Sequence, residues 1–162
     1  MRDWIPVPGT TKERLVRSAL ELFSANGYDA VSVQDIAERA GVTTGSLYHH
    51  FGGKPELYSL VRTDVERRVA DRLEAVLEAD GSFDAALLAG FDWLVRVGYA
   101  GLIGTEGSSG GEIDRVVTDA VGRHRAFVTL AAWRAALVGA AREPDVTAEL
   151  RAVLAALLAP RD

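Results

Sequence analysis

The chain has 162 residues, 48% hydrophobic and 25% charged, which suits one or two globular domains and excludes a disordered polymer. The absence of cysteine rules out disulfides, thiolate metal sites, iron–sulfur clusters and cysteine nucleophiles. A net charge of −5 argues against a protein that coats nucleic acid through its overall field. The longest wholly apolar run, Ala152 to Ala159, falls far short of the roughly 20 residues that cross a bilayer, so no membrane helix is expected. Residues Met1 to Gly9 lack the basic start and unbroken apolar stretch of a secretory signal, and the expected location is the cytoplasm.

Charge is distributed unevenly. Up to Lys54 the basic residues Arg2, Lys12, Arg14, Arg17, Arg39 and Lys54 balance Asp3, Glu13, Glu21, Asp29, Asp35 and Glu38, so the whole acidic excess lies beyond. The first third is therefore the part that a polyanion can approach.

Apolar residues recur every three or four positions and strand signals are scarce, so the chain reads as all-α. Thr10-Thr11-Lys12-Glu13 has the form of a capping box that opens a first helix, with Leu15, Ala19, Leu22 and Phe23 on its inner face and a stop at Asn26-Gly27. A second cap at Ser32 starts a helix of about two turns that carries Ile36 and Ala37 inward and ends at Ala40. Thr43 caps a third helix, Thr44 to Phe51, with Leu47 and Phe51 inward and Thr44, Ser46, Tyr48, His49 and His50 outside. From Pro55 to about Ala79 a long helix places Leu57, Val61, Val65, Val69, Leu73 and Leu77 at four-residue intervals.

Ser82 caps a further helix to about Gly98, bearing Leu87, Phe91, Leu94 and Val95. The glycine- and serine-rich segment 104–111 reads as a mobile loop, since it lacks the Gly-Lys-Ser/Thr ending of a phosphate-binding loop. Glu112 to Ala141 keeps a helical period through Ile113, Val116, Ala120, His124, Phe127, Val128, Ala131, Ala135 and Val138, with Gly122 the candidate break. After a turn at Arg142 to Asp145, Val146 to Leu158 forms a closing helix. Domain boundaries are expected at 1–54 and 55–162.

The segment Val33 to Phe51 places two short helices on either side of Gly41-Val42-Thr43, the form of a helix-turn-helix. Ala37 provides a small side chain where the helices cross, Gly41 an unhindered turn and Val42 an apolar plug. A helix presented this way fits the roughly 12 Å major groove, although tight corners also occur in any three-helix bundle.

From about Thr11 to Leu57, and most specifically over Phe23 to Lys54, with its caps, glycines, aromatics and closing lysine in register, the chain resembles the DNA-binding domain of the TetR family of bacterial transcriptional regulators. The resemblance implies phosphate contacts by Tyr48, His50 and Lys54, with His49 beside them. Each type is chemically suited, since a phenol, an imidazole N–H and an ammonium all donate to phosphate oxygen. Thr43, Thr44, Gly45 and Ser46 would enter the groove, flanked by Ser32 and Gln34. Gln34 suits an adenine edge and the Thr44 methyl suits thymine. The presumed recognition helix carries no Arg or Lys, so discrimination would rest on small polar contacts, water and DNA shape, and a single copy would bind weakly.

For the C-terminal region the resemblance implies a ligand pocket, for which Phe91, Trp93, Arg96, Tyr99, His124, Phe127 and the neighbouring Trp133 are the candidates; plain core is the alternative for each. Ala132, Ala136 and Ala140, beside Ala131, Ala135 and Gly139, form a stripe of small residues that admits another helix. The resemblance implies a two-fold homodimer through a four-helix bundle of the last helices, spacing two recognition helices by one turn of DNA, roughly 34 to 36 Å. No cofactor, metal site or catalytic group is expected: three histidines without cysteine make a closed transition-metal site improbable, and no serine sits in a nucleophile elbow. The expected function is that of a transcriptional regulator, a repressor released from a palindromic DNA operator by a small-molecule effector. The alternative is a helical ligand-binding or protein-interaction module that no longer reads DNA.

Overall fold

The computed structural model describes residues 8–105 and 111–159, and all regular structure among them is helical. The chain divides into two compact units, the first ending at Arg62 and the second starting at Thr63.

The first unit holds α1 (Thr11–Asn26), α2 (Val33–Ala40), α3 (Thr44–Phe51) and the start of α4 (Lys54–Asp80). Local polar chemistry sets the first three helix starts. Thr10 Oγ1 accepts from Glu13 N at 3.2 Å, Ser32 Oγ from Asp35 N at 3.1 Å, and Thr43 Oγ1 from Ser46 N at 3.3 Å, each satisfying an amide with no partner inside its helix. Leu15, Ala19, Phe23, Ile36, Leu47 and Leu57 close the core between these helices. Leu22 and Phe51, expected inside, are half-buried.

In the second unit α4 continues, followed by α5 (Phe83–Val97), α6 (Ala100–Gly104), α7 (Glu112–Val121), α8 (Arg123–Arg142), a 3-10 turn (Pro144–Val146) and α9 (Thr147–Leu158). The expected break at Gly122 separates α7 from α8, and its φ of 79° is a backbone conformation that a side chain would strain. Of the expected mobile segment, residues 106–110 lie outside the described residues, while Gly104 closes α6 and Gly111 precedes α7.

Helix α8 is the centre of this unit and packs against α5, α6, α7 and α9. Its inward stripe is Ala126, Leu130, Trp133, Leu137 and Ala140, at alternating four- and three-residue steps. The period anticipated from the sequence, through Phe127, Val128, Ala131 and Ala135, lies on exposed faces instead. The helix has two apolar stripes, and the one carrying the indole won the core. Part of the small-residue stripe is used within the chain. Ala136 and Ala140 are buried, a β-carbon at Gly139 would lie 2.8 Å from Leu150 Cδ1, and one at Gly104 would lie 2.9 Å from the backbone nitrogen of Val138. The helices that approach so closely are α9 and α6 of the same chain. Helix α6, five residues long, has no counterpart in the sequence reading.

Candidate nucleic-acid interface

The geometry of the helix pair α2–α3 follows from its caps. Asp35 Oδ2 accepts from Ser32 N at 2.8 Å and from Ser32 Oγ at 2.6 Å, completing a reciprocal capping box at the start of α2. These bonds, the hydroxyl first and the backbone N–H second, hold the Asp35 carboxyl below its ordinary value. Helix α2 ends at Gly41, whose left-handed backbone (φ 64°, ψ 41°) turns the chain sharply. The amides of Gly41 and Val42 return to the carbonyls of Glu38 and Ala37, both at 3.0 Å, and Thr43 then caps α3.

This corner leaves α3 anchored by one fully buried side chain, Leu47. Thr43, Thr44 and Gly45 are exposed and Ser46 is half-exposed, its Oγ 3.1 Å from Thr43 Oγ1. Ser32 and Gln34 are exposed at the start of α2. Tyr48 is 55% exposed. His49 and His50 are exposed and meet edge to face with ring centroids 5.1 Å apart. Of the residues expected at a duplex, all are exposed on the first unit except Ser46 and Lys54, which are half-buried.

Sequence reasoning did not foresee where the two lysines lie. Lys54 Nζ stands 4.0 Å from the centroid of the Tyr28 ring, and Lys12 Nζ 6.0 Å from that of Phe51. The arginines Arg39 and Arg17 face carboxylates instead, Glu21 at 2.6 Å and Glu13 at 3.5 Å. The clue available in the sequence was that the chain's two lysines both fall in this unit, which also contains most of its tyrosines.

The six residues expected to line a ligand pocket are dispersed. Phe91 is fully buried in the core, Trp93 and Tyr99 are half-buried with ring centroids 6.3 Å apart, and Arg96, His124 and Phe127 are exposed. The Arg72 guanidinium covers Trp93 at 5.3 Å, and Trp133 is buried in the core with its indole N–H donating to Leu87 O at 2.9 Å. A shallow open depression runs along one face of α4, between Arg68 and Ala79, and none of the six lines it. Among the described residues no group of three or more His, Asp or Glu side chains is placed to hold a metal ion, and no helix is long and apolar enough to cross a membrane.

Residues 15–61 match the family described as bacterial regulatory proteins, tetR family. The HTH-type transcriptional repressor KstR2 of Mycolicibacterium smegmatis is 34% identical over 71 residues, covering 44% of this chain and 35% of that protein. The match spans little more than a third of the length of such curated relatives. The fold is shared along nearly the whole chain. A TerR/AcrR-family transcriptional regulator from Aquifex aeolicus superposes with a TM-score of 0.67 at 20% identity, covering 92% of this chain and 98% of the other. The transcriptional regulator FadR of Bacillus subtilis, solved in complex with stearoyl-CoA, does so with a TM-score of 0.63 at 18% identity, covering 90% and 96%.

Proposed function

We propose that the chain is a regulator of the TetR family of bacterial regulatory proteins, a cytoplasmic, homodimeric transcriptional repressor that reads a palindromic operator through its N-terminal helix-turn-helix. Residues 1–54 act as the DNA-reading head and 55–162 as the effector-binding and dimerising part. The observation that carries this reading is the exposed polar edge of α3 beside the left-handed turn at Gly41, with Tyr48 held out into solvent and Lys54 at the start of α4.

In this reading Thr43, Thr44, Gly45 and Ser46 enter the major groove, with Ser32 and Gln34 at its rim. Tyr48, His49, His50 and Lys54 donate to phosphates on either side. Lys54 is the first residue of α4, so its ammonium adds to the positive end of a 27-residue helix. With no Arg or Lys on α3, one head gains little affinity from counterion release, and a twin head must supply the rest.

The exposed apolar residues Phe127 and Val128 of α8 with Val153 and Leu157 of α9 supply the surface for that twin. An effector acts by binding more tightly to the dimer whose head spacing no longer matches successive grooves. The stearoyl-CoA bound by one fold neighbour makes a ligand with a long acyl chain one class to test, with Phe91, Trp93, Arg96, Tyr99, His124 and Phe127 as candidate contacts, although they are dispersed in this chain.

A gel-shift titration against the DNA upstream of the chain's own gene tests the reading. Sequence-selective, salt-sensitive binding that is released by a ligand co-purifying with the protein is expected. No shift at low salt would replace the regulator by a ligand-binding or protein-interaction module that has lost DNA recognition.

A further inference from the structure

The first unit orders its cations in two different ways. Arg17 and Arg39 are held by carboxylates, which orient the guanidinium but cancel its charge toward any approaching anion. Lys54 is held by a ring. Its Nζ lies 4.0 Å from the Tyr28 centroid, within the range of a cation–π contact, and it makes no ion pair among the described residues. A ring face attracts an ammonium through its quadrupole and carries no net charge, so the lysine stays a full cation with N–H groups to spare.

The ring itself is fixed. Tyr28 meets Tyr58 edge to face at 4.8 Å and stacks on Phe23 at 6.0 Å, while Phe23 and Tyr58 meet at 5.0 Å with an interplanar angle of 86°. Phe23 is buried and anchors the cluster to the core. A lysine on a free four-carbon stem loses much rotamer freedom when it binds a phosphate, and one already laid on a fixed ring has less to lose. Lys12, 6.0 Å from the Phe51 centroid, repeats the arrangement at the outer limit of its range.

We propose that Tyr28 is a positioning residue for DNA binding, whose ring face seats the Lys54 ammonium, ordered and fully charged, for a phosphate oxygen. The inference rests on the proposed regulator function.

The test places phenylalanine or its mono-, di- and trifluorinated forms at position 28 by nonsense suppression in the full-length dimer, because fluorine drains the ring face with little change of shape. Affinity is measured on a mixed-sequence duplex of about three helical turns at low salt, in the parent and in a Lys54→Met background. Tyr28→Phe should retain wild-type affinity. Successive fluorination should lower it, by about two- to five-fold per head at the end of the series, in the parent only. In the free protein, the Lys54 ε-methylene protons should resonate upfield with Tyr or Phe at position 28 and return to their ordinary position in Tyr28→Leu. Affinity that ignores fluorination, or that falls equally without Lys54, overturns the seat while leaving the regulator in place. A wild-type chain that shows the upfield lysine signals yet binds no duplex overturns the regulator reading and with it the positioning role, an outcome distinct from the first.

Discussion

The indole N–H of Trp133 donates to the carbonyl oxygen of Leu87 across 2.9 Å inside a core from which water is excluded, tying α8 to α5. Gly90, one turn after Leu87, makes room for the ring, since a β-carbon there would stand 3.4 Å from the indole Cζ2 and 3.1 Å from Leu73 Cδ2. Trp133→Phe removes the bond and leaves part of the indole volume empty. A loss of about 2 kcal/mol is expected, roughly half from the hydrogen bond and half from the void. Urea unfolding of wild type and variant measures it, and a change below about 0.5 kcal/mol would mean that the core refills.

The capping box of α2 makes stability depend on acid in a stated direction. The hydroxyl and then the backbone N–H of Ser32 lower the Asp35 pKa from its ordinary 3.8. A carboxyl whose folded pKa lies below its unfolded one contributes stability that is present above the unfolded value and disappears as pH falls through the folded one. Asp35→Asn should therefore melt at a lower temperature than wild type at neutral pH, and the gap should close as the solution is taken below 3.8. A gap that does not vary with pH would assign the effect to packing and not to the ionised cap.

What could be read from the sequence was local. Ser32, Thr43 and Gly41 act over three or four residues, and the caps and corner of the helix-turn-helix lie where those residues predicted. The inward face of α8 is not legible in the sequence, because Phe127, Val128, Ala131 and Ala135 repeat as regularly as Ala126, Leu130, Trp133 and Leu137, and a periodicity cannot choose between two apolar stripes on one helix. Helix α6 is too short to show a period at all. The contact of Lys54 with Tyr28 joins residues from separate elements, and composition could say only that both belong to the same unit.

Two substitutions test the proposed phosphate contacts, one neutral and one charged. Tyr48→Phe removes a hydroxyl from a ring that is already exposed, so affinity should fall a few-fold on every sequence with the salt dependence unchanged. Lys54→Ala removes a cation, and the slope of log affinity against log salt should become shallower by about one per head. Both lose affinity without altering sequence preference, whereas Gln34→Ala should relax preference at one base position of each half-site. Equal slopes in wild type and Lys54→Ala would take Lys54 out of the interface.

The proposed need for a twin head is tested on α8 and α9. Phe127 is 77% and Val128 67% exposed on α8, and Val153 58% and Leu157 62% on α9, side chains that no single copy of the second unit covers. Phe127→Arg with Leu157→Glu puts charges where the second copy would bury apolar surface, and sedimentation should show a monomer at micromolar concentration. Neither residue belongs to the core, so the melting of that core, followed by circular dichroism, should change only by what dimerisation contributes. Operator affinity should nevertheless drop by about 100-fold or more, because the second head then binds from bulk solution and no longer at the high effective concentration of a tethered partner. A doubly charged variant that stays dimeric would move the interface elsewhere, and one that is monomeric yet binds as tightly as wild type would show that a single neutral recognition helix suffices.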